Sequence, residues 1–362
     1  MDETASTTSR GRTNAFLPMA LGIASVVVIL AGVYGASQLI SQFLMAFVIT
    51  VAVAPAQSWL IRRGLRPVLA FVITVIATVA GIGLVLFVLT SALNQFIQDL
   101  PQYQDQFAEL QSQITETLSS MGFSTSTVEA STTSTANLAS AVAGVATWLA
   151  SAFANFGFML ALAAFMLFEA THMPAKVKAI ALPNAQEPLN RFVTNVRNYV
   201  VVTTWVNLLV GVIDTVLLVI MGIPYPVLWG ALAFLFGFIP SIGFILSLVG
   251  PALMALLISG PQAALIVIIA FILINGSIQN IILPRRMGEG TDLSPAVVFA
   301  SLMFWGFILG PVGAILSVPM TMIVRLALES SDATLGLSYL ISSGKHPFVR
   351  PRQLADENEA AT

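Results

Sequence analysis

The sequence predicts an all-α membrane protein with about eight membrane segments, and three observations support this fold class. Hydrophobic residues make up 57% of the 362-residue chain and charged residues only 9%, whereas a soluble domain carries about 25% charged residues. Mean hydropathy is +0.90. No charged residue lies between Thr215 and Pro284, a stretch several times longer than the roughly 20 residues of one helical crossing.

This composition excludes several classes of protein. A soluble enzyme would need far more surface charge, and a net charge of −2 offers no basic surface for nucleic acid. Because the chain has no cysteine, it has no disulfide, thiolate metal site or catalytic thiol. Its two histidines, His172 and His346, are far apart in the sequence. We therefore expect neither a metal centre nor a cofactor.

Apolar runs locate the membrane segments. Two runs without charge, 227–258 and 293–324, are unusually long. The first span follows Arg10 and Arg12, as a signal peptide would, but its apolar run is too long for one and a second span follows at once. We expect it to be retained. The six ordinary spans are 16–36, 38–54, 67–90, 146–168, 199–221 and 263–283.

The distribution of arginine and lysine predicts the orientation. Neither residue occurs between Pro67 and Ala175, and the segment 91–145 carries only acidic charges. Cytoplasmic loops are enriched in Lys and Arg, so this segment is predicted to be external and both chain ends cytoplasmic. The predicted parts are the N-terminal tail 1–15, three transmembrane helices in 16–90, the external segment 91–145, a core in 146–328 and the C-terminal tail 329–362.

The external segment contains an amphipathic helix. Its apolar residues are spaced alternately four and three apart, which places them on one face of a helix. Two interpretations remain open: the helix lies on its own membrane domain, or it forms a subunit contact in a homo-oligomer. The residues of this apolar face are Phe96, Leu100, Tyr103, Phe107, Leu110 and Ile114.

The two long apolar runs are interrupted near their middles. Pro240 and Gly243 interrupt the first, and Gly310, Pro311 and Gly313 interrupt the second. As one helix, either run would be about 48 Å long against about 30 Å of hydrocarbon, while two crossings need about 40 residues or more. Paired Gly/Pro breaks of this kind mark the binding site of many transporters. The alternative is a pair of kinked helices that pack through small residues.

Counting crossings favours re-entrant hairpins for these runs. Six crossings plus two hairpins place Arg285 and Arg286 in the cytoplasm, as the charge rule requires. Eight plain crossings would place both arginines outside. The loop 284–292 therefore distinguishes the two arrangements.

Polar residues within the spans are the candidate site. Asp214 is the only acidic residue deep within a span, and on a helix it shares a face with Asn207 and Thr203. A carboxylate in the bilayer is costly, so a functional role is its default interpretation. A buried structural hydrogen bond is the alternative, and it applies equally to the amides of the next span, Asn275, Gln279 and Asn280.

Catalysis in the membrane is not expected. An intramembrane aspartyl protease needs two embedded aspartates, and only Asp214 qualifies. Neither histidine lies inside a span, and the sequence has no HExxH or P-loop motif. The sequence thus indicates a transporter without ATP hydrolysis of its own. A structural or scaffold membrane protein is the alternative, against which the polar residues within the spans argue.

Four stretches in the second half of the chain carry a family resemblance. They resemble, in order and spacing, the AI-2E family of transporters, also described as autoinducer-2 exporters or PerM-like permeases. The match is strong from about residue 190 to 328, and the N-terminal spans fit in layout only. The stretches are FIPSIG at 238–243, GSIQNIILPRRMG at 276–288, LSP at 293–295 and LGPVGAILSVP at 309–319.

The resemblance implies a transporter of the bacterial inner membrane with about eight membrane segments, assembled as an oligomer. Some members are assigned export of autoinducer-2, and others are proposed sodium/proton antiporters. Many members have a glutamate before the Pro-Arg motif, whereas residues 275–280 here contain no acid. This leaves Asp214 as the only candidate for coupling to a cation.

Together these observations predict a secondary transporter that exports a small polar organic solute such as autoinducer-2. A sodium/proton antiporter and a non-transporting membrane scaffold are the alternatives.

Overall fold

The computed structural model describes residues 16–121, 135–170, 183–278, 293–329 and 334–342, and these residues are almost entirely helical. The predicted all-α class is confirmed. The helices are α1 (Phe16–Gly35), α2 (Ser37–Arg62), α3 (Pro67–Asp99), α4 (Gln104–Ser120), α5 (Thr135–Ala170), α6 (Pro183–Ile220), α7 (Pro226–Phe236), α8 (Gly243–Ser277), α9 (Pro295–Ile315), α10 (Ser317–Glu329) and α11 (Leu335–Ile341).

Several of these helices are long and apolar enough to cross a bilayer, so the protein is polytopic. Five such stretches occur among the described residues, and shorter apolar helices accompany them. Large apolar side chains remain exposed on most helices; Phe165, Ile220 and Phe307 are each at least three-quarters exposed. In a membrane protein this surface faces lipid. The five stretches are Ser37–Arg62, Pro67–Thr117, Phe192–Ile220, Gly243–Ser277 and Pro295–Ile315.

The first two predicted spans are not arranged as an antiparallel pair. Only Ala36 separates α1 from α2. The amide of Ala36 donates to the carbonyl of Gly32, and the amide of Ile40 donates to that of Ala36, so helical hydrogen bonding continues across the joint. The residues at the joint include no proline, which would have stopped the helix. As a result α1 meets α2 only at this joint, and the last turns of α1 pack on α9 instead.

The first interrupted run forms a helical hairpin, which we call hairpin 1. It consists of α7, a turn at 237–242 and the first half of α8. A Cβ atom at Gly243 would clash with the carbonyl oxygen of Phe236, and one at Gly250 would clash with the Trp229 ring. Gly243 and Phe236 lie next to the turn, whereas Gly250 and Trp229 lie farther from it on the same two arms. The arms are therefore antiparallel. Hairpin 1 ends at Gly260, whose φ of 82° breaks α8 in two.

The second interrupted run is also a helical hairpin, which we call hairpin 2. The chain reverses within α9 at Gly310, whose φ is 67°. One arm is therefore 295–309, and the other consists of 311–315 and α10. The Trp305 indole donates to Thr321 Oγ1 over 3.2 Å, and Thr321 Oγ1 lies 2.6 Å from Ser301 Oγ. These contacts join the two arms well below the turn. Both interrupted runs are therefore helical hairpins rather than single kinked helices.

The main core lies where α3, α6, hairpin 1 and the second half of α8 meet. Leu218 and Phe271 are fully buried there, together with Trp229 and Ile223. A second core joins α2, α6 and α10 through Val51, Val196, Val318 and Met322. Helix α6 takes part in both cores and is thus the central helix of the bundle.

The amphipathic segment that was predicted to be external packs on the chain's own membrane domain. Phe96, Leu100 and Tyr103 are buried in the main core, and Phe107 is partly buried against it. For this first half of the apolar face the structure supports intramolecular packing. The side chain of Ile114 lies outside the described residues.

Candidate functional site

Asp214 lies at the centre of the bundle on α6, and its side chain is fully buried. Neither carboxylate oxygen has a hydrogen-bond partner among the described residues. Its polar neighbour is Asn275 on the second half of α8, although the two side chains do not reach hydrogen-bonding geometry. The amide nitrogen of Asn275 donates instead to the carbonyl of Phe271 over 3.1 Å. Both Asp214 oxygens thus stay available to a ligand.

Among the residues that the structure describes, those packed around Asp214 include no positive charge. Hairpin 1 and α8 lie wholly within the uncharged stretch that follows Thr215. Arg325 on α10 forms an ion pair with Glu329 at 2.8 Å. A buried carboxylate without a partner is strongly disfavoured unless it gains a proton, a cation or hydrogen bonds. A carboxylate in this position can accept any of these three.

Asn207 extends the polar site along α6 to the tip of hairpin 1. It is buried, and its amide nitrogen has no hydrogen-bond partner among the described residues. A Cβ atom at Gly237, the first residue of the turn, would lie 2.6 Å from Asn207 Cγ. The hairpin tip thus rests directly on the Asn207 amide. Thr203, one helical turn further, is buried on the same face.

A pair of glycines allows hairpin 1 to approach this polar face. A Cβ atom at Gly211 would lie 2.6 Å from the carbonyl oxygen of Gly230 on α7. Small residues at such contacts let helix backbones come close in a membrane. Because Gly211 lies between Asn207 and Asp214 along α6, the close contact covers the polar face.

The turn of hairpin 1 contains Pro240 and ends at Gly243. Ser241 has a φ of 64°, which is uncommon for a residue with a side chain. Gly243 faces the carbonyl oxygen of Phe236 within its own hairpin. Its missing side chain therefore permits the tight turn, and the contact is with protein backbone.

The predicted residues of hairpin 2 belong to a different part of the bundle. A Cβ atom at Gly313 would clash with the carbonyl oxygen of Trp305, again within the hairpin. Ser41 on α2 donates to the carbonyl of Leu309, next to Gly310 and Pro311, over 3.3 Å. Gly310, Pro311 and Gly313 thus lie in a region beside α2, apart from the polar face of α6. Gln279 and Asn280 lie outside the described residues.

Several residues that shape these regions were not predicted from the sequence. Gly260 and Pro261 repeat the Gly-Pro pair of Gly310 and Pro311, and both glycines have positive φ. This pair was a readable signal for a chain reversal. The contacts of Gly230 and Gly237 have no such signal, because they depend on which helices meet in space.

Other kinds of site find little support. Within the described ranges no three His, Cys, Asp or Glu side chains lie together as metal ligands would. A small pocket between α2, α3 and α5 is lined mainly by aliphatic side chains, with Thr50 and Thr78 as its polar residues. It contains no charged group. The polar face of α6 is thus the strongest candidate.

The chain is similar in sequence to known transport proteins. The sequence model described as "AI-2E family transporter" matches residues 23–332. "Putative transport protein YhhT" of Escherichia coli (strain K12) is 32% identical over 329 residues, which cover 90% of this chain and 94% of YhhT. "AI-2 transport protein TqsA" of the same organism is 32% identical over 329 residues, 90% of this chain and 96% of TqsA. A Haemophilus influenzae relative is 32% identical over 327 residues, 87% of this chain and 93% of its own length.

Proposed function

Since the chain belongs to the AI-2E family of transporters, we propose that it is a secondary transporter that exports a small polar organic solute. Autoinducer-2 is the first solute to test, because the relative TqsA is named an AI-2 transport protein. The protein is a multi-pass membrane protein, and we place it in the inner membrane as a homo-oligomer with its C-terminus in the cytoplasm. The predicted cytoplasmic N-terminus required α1 and α2 to cross as an antiparallel pair, which they do not form.

The unpartnered polar face of α6 is the observation that carries this proposal. Asp214 and Asn207 are buried beside a helical hairpin, and both keep polar atoms without hydrogen-bond partners among the described residues. A solute with hydroxyl or carbonyl groups would satisfy these atoms on binding. The turn beside Asn207 is non-helical backbone, which membrane proteins tolerate where it is buried in protein or lines a cavity.

Hairpins 1 and 2 supply the broken helices typical of secondary transporters. We propose that each enters and leaves the membrane from one side. Helix α7 has 11 residues and is therefore about 16 Å long, half of the roughly 30 Å hydrocarbon core. Its tip would end near the middle of the bilayer, at the level of Asn207.

A cation/proton antiporter is the second candidate, and Asp214 favours it specifically. The carboxylate is buried without a positive partner, so it suits a proton or cation that comes and goes. The absence of an acid at 275–280 leaves this one group to serve both ions. A non-transporting scaffold has the least support, because it would not need such a site.

Transport by reconstituted protein tests the proposal. Asp214→Asn keeps the side-chain shape and removes the charge, while Asp105→Asn makes the same change on exposed α4. In proteoliposomes loaded with autoinducer-2 or a panel of polar solutes, we expect the parent and the Asp105 variant to transport alike. The Asp214 variant should lose at least about tenfold, as expected when a charged hydrogen-bonding group is removed.

Gradients of pH and of sodium identify the coupling in the same vesicles. A transporter coupled through Asp214 should lose its response to the gradient in the asparagine variant and keep at most downhill exchange. Unchanged gradient-driven transport by Asp214→Asn would remove this residue from the mechanism. Ion flux without any solute flux would instead establish the antiporter.

A further inference from the structure

We propose that Tyr225 is a positioning residue that fastens hairpin 1 to the outer end of α3 and keeps the polar face of α6 closed toward the outside. The proposal rests on the proposed function only in taking Asn207 and Asp214 as the site.

The contacts of Tyr225 connect two separate parts of the chain. Its hydroxyl donates to Asp99 Oδ2 over 2.8 Å, at the last residue of α3. The same hydroxyl lies 3.4 Å from that of Tyr103 and 3.5 Å from Gln102 Nε2. The ring packs edge-on against Phe96, with centroids 5.2 Å apart. One side chain at the start of hairpin 1 is thus held by four residues of the external segment.

The bond to Asp99 has the character of a strong hydrogen bond. Partial burial raises the pKa of the Tyr225 hydroxyl above its ordinary value, and the hydrogen bonds to Tyr103 and Asp99 raise it further. Tyr225 therefore remains a neutral donor at physiological pH. A neutral hydroxyl that donates to a carboxylate makes a shorter and stronger bond than one between two neutral groups.

The backbone conformation at Tyr225 indicates that contacts with other parts of the chain hold this residue in place. Its φ of 58° and ψ of 41° lie in the left-handed region, which bulky side chains rarely occupy. Such conformations persist where surrounding contacts hold them in place. The contacts with Asp99 and Phe96 are of that kind.

Hairpin 1 joins the neighbouring helices of the chain at its two outer ends. Gly222 and Gly260 have positive φ and flank the hairpin on its two sides, while the tip rests on Asn207. Next to Tyr225, the Trp229 indole donates to the carbonyl of Pro224 over 2.9 Å. The Trp229 ring also fills the space beside Gly250 on the opposite arm. A displacement of Tyr225 is thus passed to both arms of the hairpin.

Access to the site can be measured by cysteine labelling in this cysteine-free chain. The reporter is Asn207→Cys, treated in intact cells with a membrane-impermeant thiol reagent. Tyr225→Phe removes the hydroxyl and keeps the ring; Tyr34→Phe is the matched control, because Tyr34 is exposed on α1. We expect Tyr225→Phe to raise the labelling rate about tenfold, the effect of losing one hydrogen bond to a charged group, and Tyr34→Phe to leave it unchanged.

A change at Asp99, the hydrogen-bond partner of Tyr225, distinguishes the loss of this specific contact from a general loss of structure. Asp99→Ala removes the acceptor and should raise labelling as Tyr225→Phe does, and the double variant should not exceed the stronger single variant. Should Tyr225→Phe fail to accumulate in the membrane, Asp99→Ala alone provides the comparison. A labelling rate equal to the parent's, or additive effects of the two changes, would overturn the proposal. Because the assay measures access without any solute, it can succeed even if transport of autoinducer-2 is not found.

Discussion

At the scale of single residues, the structure explains why certain glycines are required. Gly243 and Gly313 each face a backbone carbonyl of the preceding helix arm, at Phe236 and Trp305. No side chain fits there unless the backbone moves. The two glycines therefore determine the shape of the hairpins. Substitution of either glycine is expected to be harmful even if the glycine does not contact substrate.

We expect Gly243→Leu and Gly313→Leu to abolish transport while the protein still inserts. Forcing a large side chain against backbone costs about 1–3 kcal/mol or more and displaces the hairpin turn. The matched control is Gly81→Leu, since a Cβ atom at Gly81 meets nothing within 4 Å. Solute flux per inserted protein is the measurement. Normal flux in both hairpin variants would show that neither turn matters for transport.

The polar face shows what could be predicted from residue types alone. The spacing of Thr203, Asn207 and Asp214 correctly placed them on one buried face, because helical periodicity is local. Asn275 was predicted as a polar residue of the next span, and the structure brings it beside Asp214. The contact of Tyr225 with Asp99 could not be predicted, because it joins residues far apart in sequence through the packing of α3 on hairpin 1.

At the scale of helices, two Gly-Pro pairs define where the chain turns. Gly260 has φ 82° and ψ −178°, and Gly310 has φ 67° and ψ −152°. This part of conformational space is open almost only to glycine. The prediction of two broken segments succeeded because proline and glycine are visible in the sequence. The bent joint at Ala36 was missed because nothing in its composition distinguishes a bend from a reversal.

Alanine substitution tests these turns separately from the packing contacts. Neither Gly260 nor Gly310 has an atom within 4 Å of the position of a Cβ, so the strain would be purely conformational. We expect Gly260→Ala and Gly310→Ala each to destabilise the protein by about 1–3 kcal/mol. Gly81→Ala, inside α3, should be neutral or stabilising, because alanine is the better helix former. Thermal unfolding of the purified protein in detergent measures all three, and equal melting temperatures would contradict the assignment.

At the scale of the whole molecule, the two hairpins determine the topology. If both enter and leave from one side, the loop 284–292 lies in the cytoplasm, in agreement with Arg285 and Arg286. The loop lies outside the described residues, so it is a prediction from charge and from the hairpin geometry. The number of crossings could not be read from run lengths, because a hairpin and a long helix have the same composition.

A cysteine at Gly288 tests this topology. In intact cells Gly288→Cys should resist an impermeant thiol reagent and react once the membrane is made permeable. A cysteine at Asp105 in the external segment is the positive control and should react in intact cells. Ready labelling of the Gly288 variant from outside would favour eight plain crossings.

The uncharged stretch around hairpin 1 also has a consequence for biosynthesis. Between Thr215 and Pro284 the growing chain offers no charge from which the insertion machinery could choose an orientation. Hairpin 1 must therefore take its orientation from the anchors on either side, Arg197 before it and the Arg285–Arg286 pair after it. The second anchor is synthesised only after the whole hairpin, so we expect the final arrangement of hairpin 1 to be fixed late.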